Sequence, residues 1–196
     1  MRTLVVFDSL YGNTERVAAA VAEGVGAFGR VDLVSVQEAP RLIPDGVDLM
    51  VVGGPTHGHG LSNASSRRVT PRQVAAGART GRIGLREWLA RLGRGTTPVA
   101  TFDTRFAHPA WLTGSAARAA ARRLKARGHP LVVPPQSFYV THTKGPLAAD
   151  QLDHARRWGQ ALGSLTQARP PAVGPIPDRR TREPRDVQLG HFGGGR

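Results

Sequence analysis

Three stretches of this chain are apolar without interruption: LVVF from residue 4, LMVV from residue 49 and LVV from residue 131. A strand with one wet face alternates apolar and polar residues. A strand buried on both faces has no such need, and that is the condition of a parallel sheet covered by helices on each side. Between the apolar runs lie segments with helical periodicity. Strands are predicted at residues 3–7, 31–36, 48–52, 98–102 and 131–133, and helices at 13–27, 82–92, 113–127 and 149–167. Strands alternating with helices predict an open, doubly wound α/β fold. Gly128 and Pro130 close the third helix: glycine takes the left-handed cap and proline prevents continuation. That helix carries Ala117, Ala120, Ala121 and Leu124 on one side, with Arg118, Arg122 and Lys125 on another.

Two regions break the alternation. Residues 61–81, LSNASSRRVTPRQVAAGARTG, are long for a connection in a compact domain. Residues 168–196 are rich in proline, glycine and arginine and poor in apolar side chains, which predicts a disordered tail after a single domain at residues 1–167.

Composition narrows the function classes. The sequence has no cysteine, which excludes disulfide frameworks, thiolate metal sites and cysteine nucleophiles. No apolar run approaches the roughly 20 residues that span a bilayer. With no charged segment leading into an apolar one at the start of the chain, a cytoplasmic protein is the expectation. The net charge of +13 is carried almost wholly by arginine, with Lys125 and Lys144 the only lysines. Such a charge speaks of partners and not of fold.

The chemistry concentrates between the first strand and the first helix, in VVFDSLYGNTERVAAAV. A helix that starts directly after a strand leaves several N–H groups unpaired, and its dipole adds partial positive charge. Together these make an anion site suited to phosphate. Gly12 allows close approach, and Ser9, Tyr11 and Thr14 offer hydroxyls. Neither GxGxxG nor GxxxxGK[ST] is present, so a ligand with one terminal phosphate is predicted.

In this segment the sequence resembles the flavodoxin family, whose phosphate loop reads roughly [ST]-x-[ST]-G-x-T. SLYGNT matches it at Ser9, Gly12 and Thr14, with Asn13 also usual. Tyr11 stands where Thr or Ser is commoner, as in related flavodoxin-like quinone reductases. The resemblance covers about residues 1–167 and includes GGPTHGHG and TFDTRFAHP after the third and fourth strands. It implies a flavodoxin-like doubly wound five-stranded parallel sheet, order 2-1-3-4-5, with helices on both faces. It also implies bound FMN. Ser9, Leu10, Tyr11, Gly12, Asn13 and Thr14 would hold the phosphate. Pro55, Thr56, His57 and Gly58 would flank the ring on one side, and Asp103, Thr104, Arg105 and Phe106 on the other. No catalytic residue and no metal ligand set is implied.

Other readings of these residues stand beside that one. Residues 9–14 can be an ordinary capped turn, and Gly53-Gly54-Pro55 a strand-ending turn. His57-Gly58-His59 suggests a metal, but no third ligand is evident. Asp103 and Arg105 can be a local ion pair. Trp88 and Trp111 read as packing residues. Functionally, an electron carrier serving an acidic redox partner is expected. The alternative is an FMN-dependent NAD(P)H reductase, for example of quinones. A basic nucleic-acid-binding module without flavin is disfavoured by the intact loop and by the 6% aromatic content, which gives few stacking platforms. Arg67, Arg68, Arg72, Arg79 and Arg82 cluster in or beside the long connection. The tail carries an excess of only +3, so about +10 remains on the folded body.

Overall fold

A computed structural model describes residues 1–57, 60–62, 83–107 and 114–168. Among these described residues, six strands and four helices follow in the order β1 (Arg2–Phe7), α1 (Asn13–Gly26), β2 (Arg30–Ser35), β3 (Leu49–His57), β4 (Gly60–Leu61), α2 (Leu85–Arg91), β5 (Val99–Phe106), α3 (Ala116–Lys125), β6 (Gln136–Val140) and α4 (Gln151–Gln167). The sheet order is β2-β1-β3-β5-β6, all parallel, with β4 turned back antiparallel on the end of β3. Setting that short hairpin strand aside, this is the expected 2-1-3-4-5 order.

The uninterrupted apolar runs serve two cores. Leu4, Val6, Met50, Val52 and Val99 point to one face, where Leu85, Trp88, Leu89 and Leu124 of α2 and α3 cover them. Val5, Phe7, Val51, Ala100 and Phe102 point to the other, against Val17, Val21 and Leu162 of α1 and α4. Trp88 is a packing residue, 1% exposed, with Nε1 donating to the Pro40 carbonyl at 3.0 Å. Phe102, Phe138 and Trp158 meet edge to face at 5.9–6.2 Å beneath β5 and β6.

Three strand assignments from sequence are corrected. β3 does not stop at Val52; it runs extended through Gly53-Gly54-Pro55 to His57. The glycines are there for closeness, not for turning. A Cβ on Gly53 would lie 2.0 Å from Phe102 Cζ, and one on Gly54 would lie 2.7 Å from Leu85 Cδ2. β5 likewise continues past Phe102 to Phe106, in register with β3 and β6. The last strand is Gln136–Val140 and not residues 131–133. At 131–133 the pairing is one bridge, Leu131 to Val99. Pro134 and Pro135 then offer no N–H, and the ladder resumes beyond them. Most of the long connection at 61–81, Trp111 and residues 169–196 lie outside the described residues.

Helices α1 and α4 approach closely at glycines. A Cβ on Gly159 would lie 2.4 Å from the Val21 carbonyl oxygen, and one on Gly24 would lie 2.1 Å from that of Arg156. Arg156 also spans the pair, meeting Glu23 at 2.7 Å. In an exposed helix Gly→Ala gains up to about 1 kcal/mol. Here overpacking against backbone costs roughly 1–3 kcal/mol and wins. Gly159→Ala is therefore expected to lower the melting temperature, by several degrees at about 2–4 °C per kcal/mol. A calorimetric scan showing a rise would refute this close packing.

Candidate functional site

Every helix of such a sheet begins at the carboxyl end of a strand, so three helix N-termini surround the ends of β1, β3 and β5. Two are closed by side chains. At α2, Asp8 Oδ2 accepts from the Leu85 N–H at 3.0 Å and from Ser62 Oγ at 3.1 Å, and Glu87 accepts from the Gly84 N–H at 2.9 Å. At α3, the Thr56 hydroxyl accepts from the Ala116 N–H, Asp103 Oδ2 from that of Ala117, and Ser115 Oγ from that of Arg118, at 2.9–3.1 Å. Each carboxylate also meets the positive end of a helix dipole.

The third is open. The cap position of α1 is Gly12, left-handed at φ 83°, and no side chain accepts there. Ser9 Oγ reaches the Glu15 N–H at 3.3 Å, one position beyond. The N–H groups of Leu10, Gly12, Asn13 and Thr14 find no acceptor among the described residues. Space is open where a Gly12 side chain would stand. Four unclaimed donors at a helix N-terminus fit a phosphate group. α4 also starts without a side-chain cap, but at Asp150, with Asp153 in its first turn.

The open loop is braced on both sides. Thr14 Oγ1 and Thr104 Oγ1 lie 2.8 Å apart, buried, joining α1 to β5. Asn13 Nδ2 donates to the Lys144 carbonyl at 3.0 Å, joining it to the segment after β6. Ser9, Leu10, Tyr11, Asn13, Thr14, Pro55, Thr56, His57, Thr104, Arg105 and Phe106 line one cavity of about 70 Å³, together with Val140 and Thr143. That volume holds about two waters or the head of a ligand. A larger cavity of about 540 Å³ adjoins it on the β2 side and shares Ser9, Leu10, Pro55 and His57. Asp8, Glu15 and Glu38 line that one, the wrong sign for a phosphate. The phosphate-type donors therefore make the smaller cavity the better fit for an anion.

Two expected contacts lie differently from the rest. Asp103 is fully buried and faces α3: its Oδ2 accepts from Thr56 Oγ1, Ser115 Oγ and the Ala117 N–H at 2.6–3.1 Å, while Oδ1 has no partner. Arg105 is 6% exposed, with Nε donating to the Phe106 carbonyl at 3.3 Å. The described residues show no ion pair between Asp103 and Arg105. Gly58 and His59 lie outside the described residues. Among the described residues no group of three metal-type side chains comes together, so the His57-Gly58-His59 motif gains no third ligand there. Sequence reasoning missed Asp8, Ser115, Val140 and Thr143. Val140 and Thr143 became visible only once the last strand was placed at 136–140. Ser115 stands immediately before α3, the position where capping residues are found, whereas Asp8 closes a helix start 77 positions further along the chain.

Comparison with known proteins agrees with this architecture. The flavodoxin family model matches residues 5–78, which span β1, the open loop, β2 and β3. An archaeal flavodoxin superposes with a TM-score of 0.57 at 17% identity, covering 85% of this chain and 99% of its own. Flavodoxin 2 of Bacillus cereus gives 0.57 at 18%, covering 84% and 99%. The two-electron reduced flavodoxin of Megasphaera elsdenii gives 0.53 at 18%, covering 85% and 99%. No curated protein sequence matches the chain. The fold is flavodoxin-like. Its β2-β1-β3-β5-β6 sheet order belongs to that architecture.

Asp103 is the group on which the end of β3 and the start of α3 converge. Asp103→Ala leaves two hydroxyls and an N–H without their acceptor. Bonds to a charged group contribute about 1.5–3 kcal/mol each. The variant is expected to lose at least about 3 kcal/mol in urea unfolding, and Asp103→Asn roughly half of that. A loss under 1 kcal/mol for Ala would show that the network does not hold the fold.

Proposed function

We propose that this protein binds FMN, with the phosphate at residues 9–14, and carries electrons to an acidic partner protein. The observation that supports the reading most is the open α1 N-terminus. It has four unclaimed N–H donors at a strand end, in a flavodoxin-like fold whose other two neighbouring helix starts are closed by carboxylates. FMN supplies the redox chemistry when bound. The chain supplies the rest. Leu10, Gly12, Asn13 and Thr14 would donate to the phosphate, and Gly12 leaves the room for it. The hairpin of β3 and β4 and the backbone of Thr104–Phe106 would border the ring. The Thr14–Thr104 bond holds the phosphate end and the β5 wall at fixed separation.

Charge supports the partner. With +13 overall, a cationic surface steers an anionic one and raises association rates by 10–10³-fold at low salt. Part of that charge is concentrated on the body. Burial, and then the charges of Arg86, Arg122 and Arg127, hold the Arg123 guanidinium below its ordinary value. The arginines of the connection, Arg67, Arg68, Arg72, Arg79 and Arg82, would add to this. No helix among the described residues is long and apolar enough to cross a membrane, in keeping with a cytoplasmic carrier.

One observation favours a second reading, an FMN-dependent NAD(P)H reductase of quinones. The 540 Å³ cavity adjoins the anion site and has the size of a small-molecule pocket. Turnover of NAD(P)H with a quinone by the purified protein would select this reading over the carrier.

The phosphate assignment is tested by comparing FMN with riboflavin. Several charge-assisted bonds predict FMN binding more than about a hundredfold tighter. Gly12→Asp fits the left-handed backbone and places a carboxylate where the phosphate belongs. It is expected to weaken FMN by at least about a hundredfold relative to Gly12→Asn, with riboflavin nearly unchanged. Equal losses of both flavins would defeat the assignment. The steering argument predicts that ferricyanide, a trianion, oxidises the reduced protein faster at low salt, and that the rate falls as ionic strength rises. A rate that rises with salt would refute it.

A further inference from the structure

Among the described residues, Arg105 is a buried cation with no carboxylate in ion-pair contact. It is 6% exposed, and its one hydrogen bond runs to the carbonyl of its own neighbour, Phe106. A buried guanidinium normally sits against a carboxylate, because an unpaired buried charge is strongly unfavourable. The obvious carboxylate is Asp103, on the same face of β5 two residues earlier, and it is committed to Thr56, Ser115 and α3. Asp8 is likewise committed to Ser62 and α2. Yet Arg105 lines the same cavity as Ser9, Tyr11 and Thr14. The missing anion is therefore a property of that cavity and arrives with its ligand.

The phosphate is not that anion. Side chains alternate along a strand. Thr104 leaves β5 toward α1, where it meets Thr14 at 2.8 Å. Arg105 leaves on the opposite face, the one that Asp103 shares with α3. A phosphate held at the N-terminus of α1 lies on the Thr104 side. What faces Arg105 is another part of the ligand. Resting on the FMN reading above, we propose that Arg105 is the counter-charge for the flavin ring in its reduced, anionic form. Two electrons and one proton added to oxidised FMN leave the ring with one net negative charge. A neutral oxidised ring gives Arg105 a weaker partner, so the residue binds the reduced form more tightly and raises the potential of the bound cofactor. The site is in this way biased to accept electrons from moderate donors.

The test uses the full chain with FMN, comparing wild type with Arg105→Gln and Arg105→Lys. Binding of oxidised FMN is followed by fluorescence quenching, and the two-electron potential by spectroelectrochemical titration with dithionite. One charge-assisted bond is typically worth about ten- to a hundredfold in affinity. Arg105→Gln is expected to weaken reduced FMN by that factor relative to oxidised FMN. At 29.6 mV per tenfold, the potential falls by about 30–60 mV. Arg105→Lys, which keeps the charge, is expected to stay within about threefold. Recovery of the potential by Arg105→Lys, which keeps the charge and changes the shape, is a signature that a packing role would not give. If the Gln variant does not fold, Arg105→Met keeps the apolar stem and removes the charge. An unchanged potential in the neutral variant overturns the proposal while leaving FMN binding intact. Equal weakening of both redox forms, with riboflavin unaffected, overturns it in favour of a phosphate contact. A wild-type protein that binds no FMN overturns the functional reading, and this inference with it.

Discussion

In a parallel sheet wrapped on both faces, every helix begins at the same end. Each beginning leaves N–H groups that the helix cannot satisfy itself. This one geometric fact organises the carboxyl end of the sheet here. Three helix starts converge beside β1, β3 and β5. Asp8 and Asp103 close two of them, each by accepting from helix N–H groups and from nearby hydroxyls. The third starts on a left-handed glycine with no carboxylate closing it; Ser9 Oγ accepts from the Glu15 N–H, one position further in. The difference between a capped turn and an anion site lies in which of these arrangements a helix start receives. Folding brings Asp8, from the end of β1, to the start of α2 and Asp103, from within β5, to the start of α3, while Gly12 stands at the start of α1.

The walls of the site follow from close approach rather than from loop design. Gly53 and Gly54 let β3 pass beneath Phe102 and beside Leu85 without leaving the sheet. The strand thereby reaches Thr56, which donates to Asp103 and accepts from Ala116 at once. One hydroxyl so ties the end of β3 to both β5 and α3. The same economy appears at Thr14 and Thr104, where two hydroxyls join the open loop to β5. Arg86 adds a clamp from the other side. Its guanidinium donates to the carbonyls of Leu61 and Ser62, holding the short antiparallel strand against α2.

The architecture was legible because unbroken apolar runs have few structural homes. LVVF and LMVV can be strands with two buried faces, and little else in a chain that alternates them with amphipathic helices. The open loop was legible because SLYGNT combines a glycine with hydroxyls at a strand-to-helix junction. Strand ends were not. Gly53-Gly54-Pro55 reads locally as a turn, and the reason it stays extended is Phe102, 49 positions away along the chain. Likewise LVV at 131–133 has the better local strand pattern, but the two prolines that follow move the paired segment to QSFYV. The fate of Asp103 was hidden for the same reason. Its residue type and neighbours suit a ligand contact, and only the packing of α3 against the sheet turns it inward.

The charges at this end of the sheet carry the argument one step further. Composition gives a large positive excess, yet excess alone says nothing of where an anion is needed, since exposed arginines are solvated and screened. What distinguishes the site is that both nearby carboxylates face helix starts, each accepting there through its Oδ2. The open end of α1, on one face of β5, and the Arg105 guanidinium, on the other, are then left without a negative partner from within the described chain. Two separated positive features facing one cavity call for a ligand long enough to meet both. A lone phosphate satisfies the first and not the second. A phosphate joined through a linker to a ring that gains negative charge on reduction satisfies both. It does so most fully in the reduced state, the preference proposed above for Arg105.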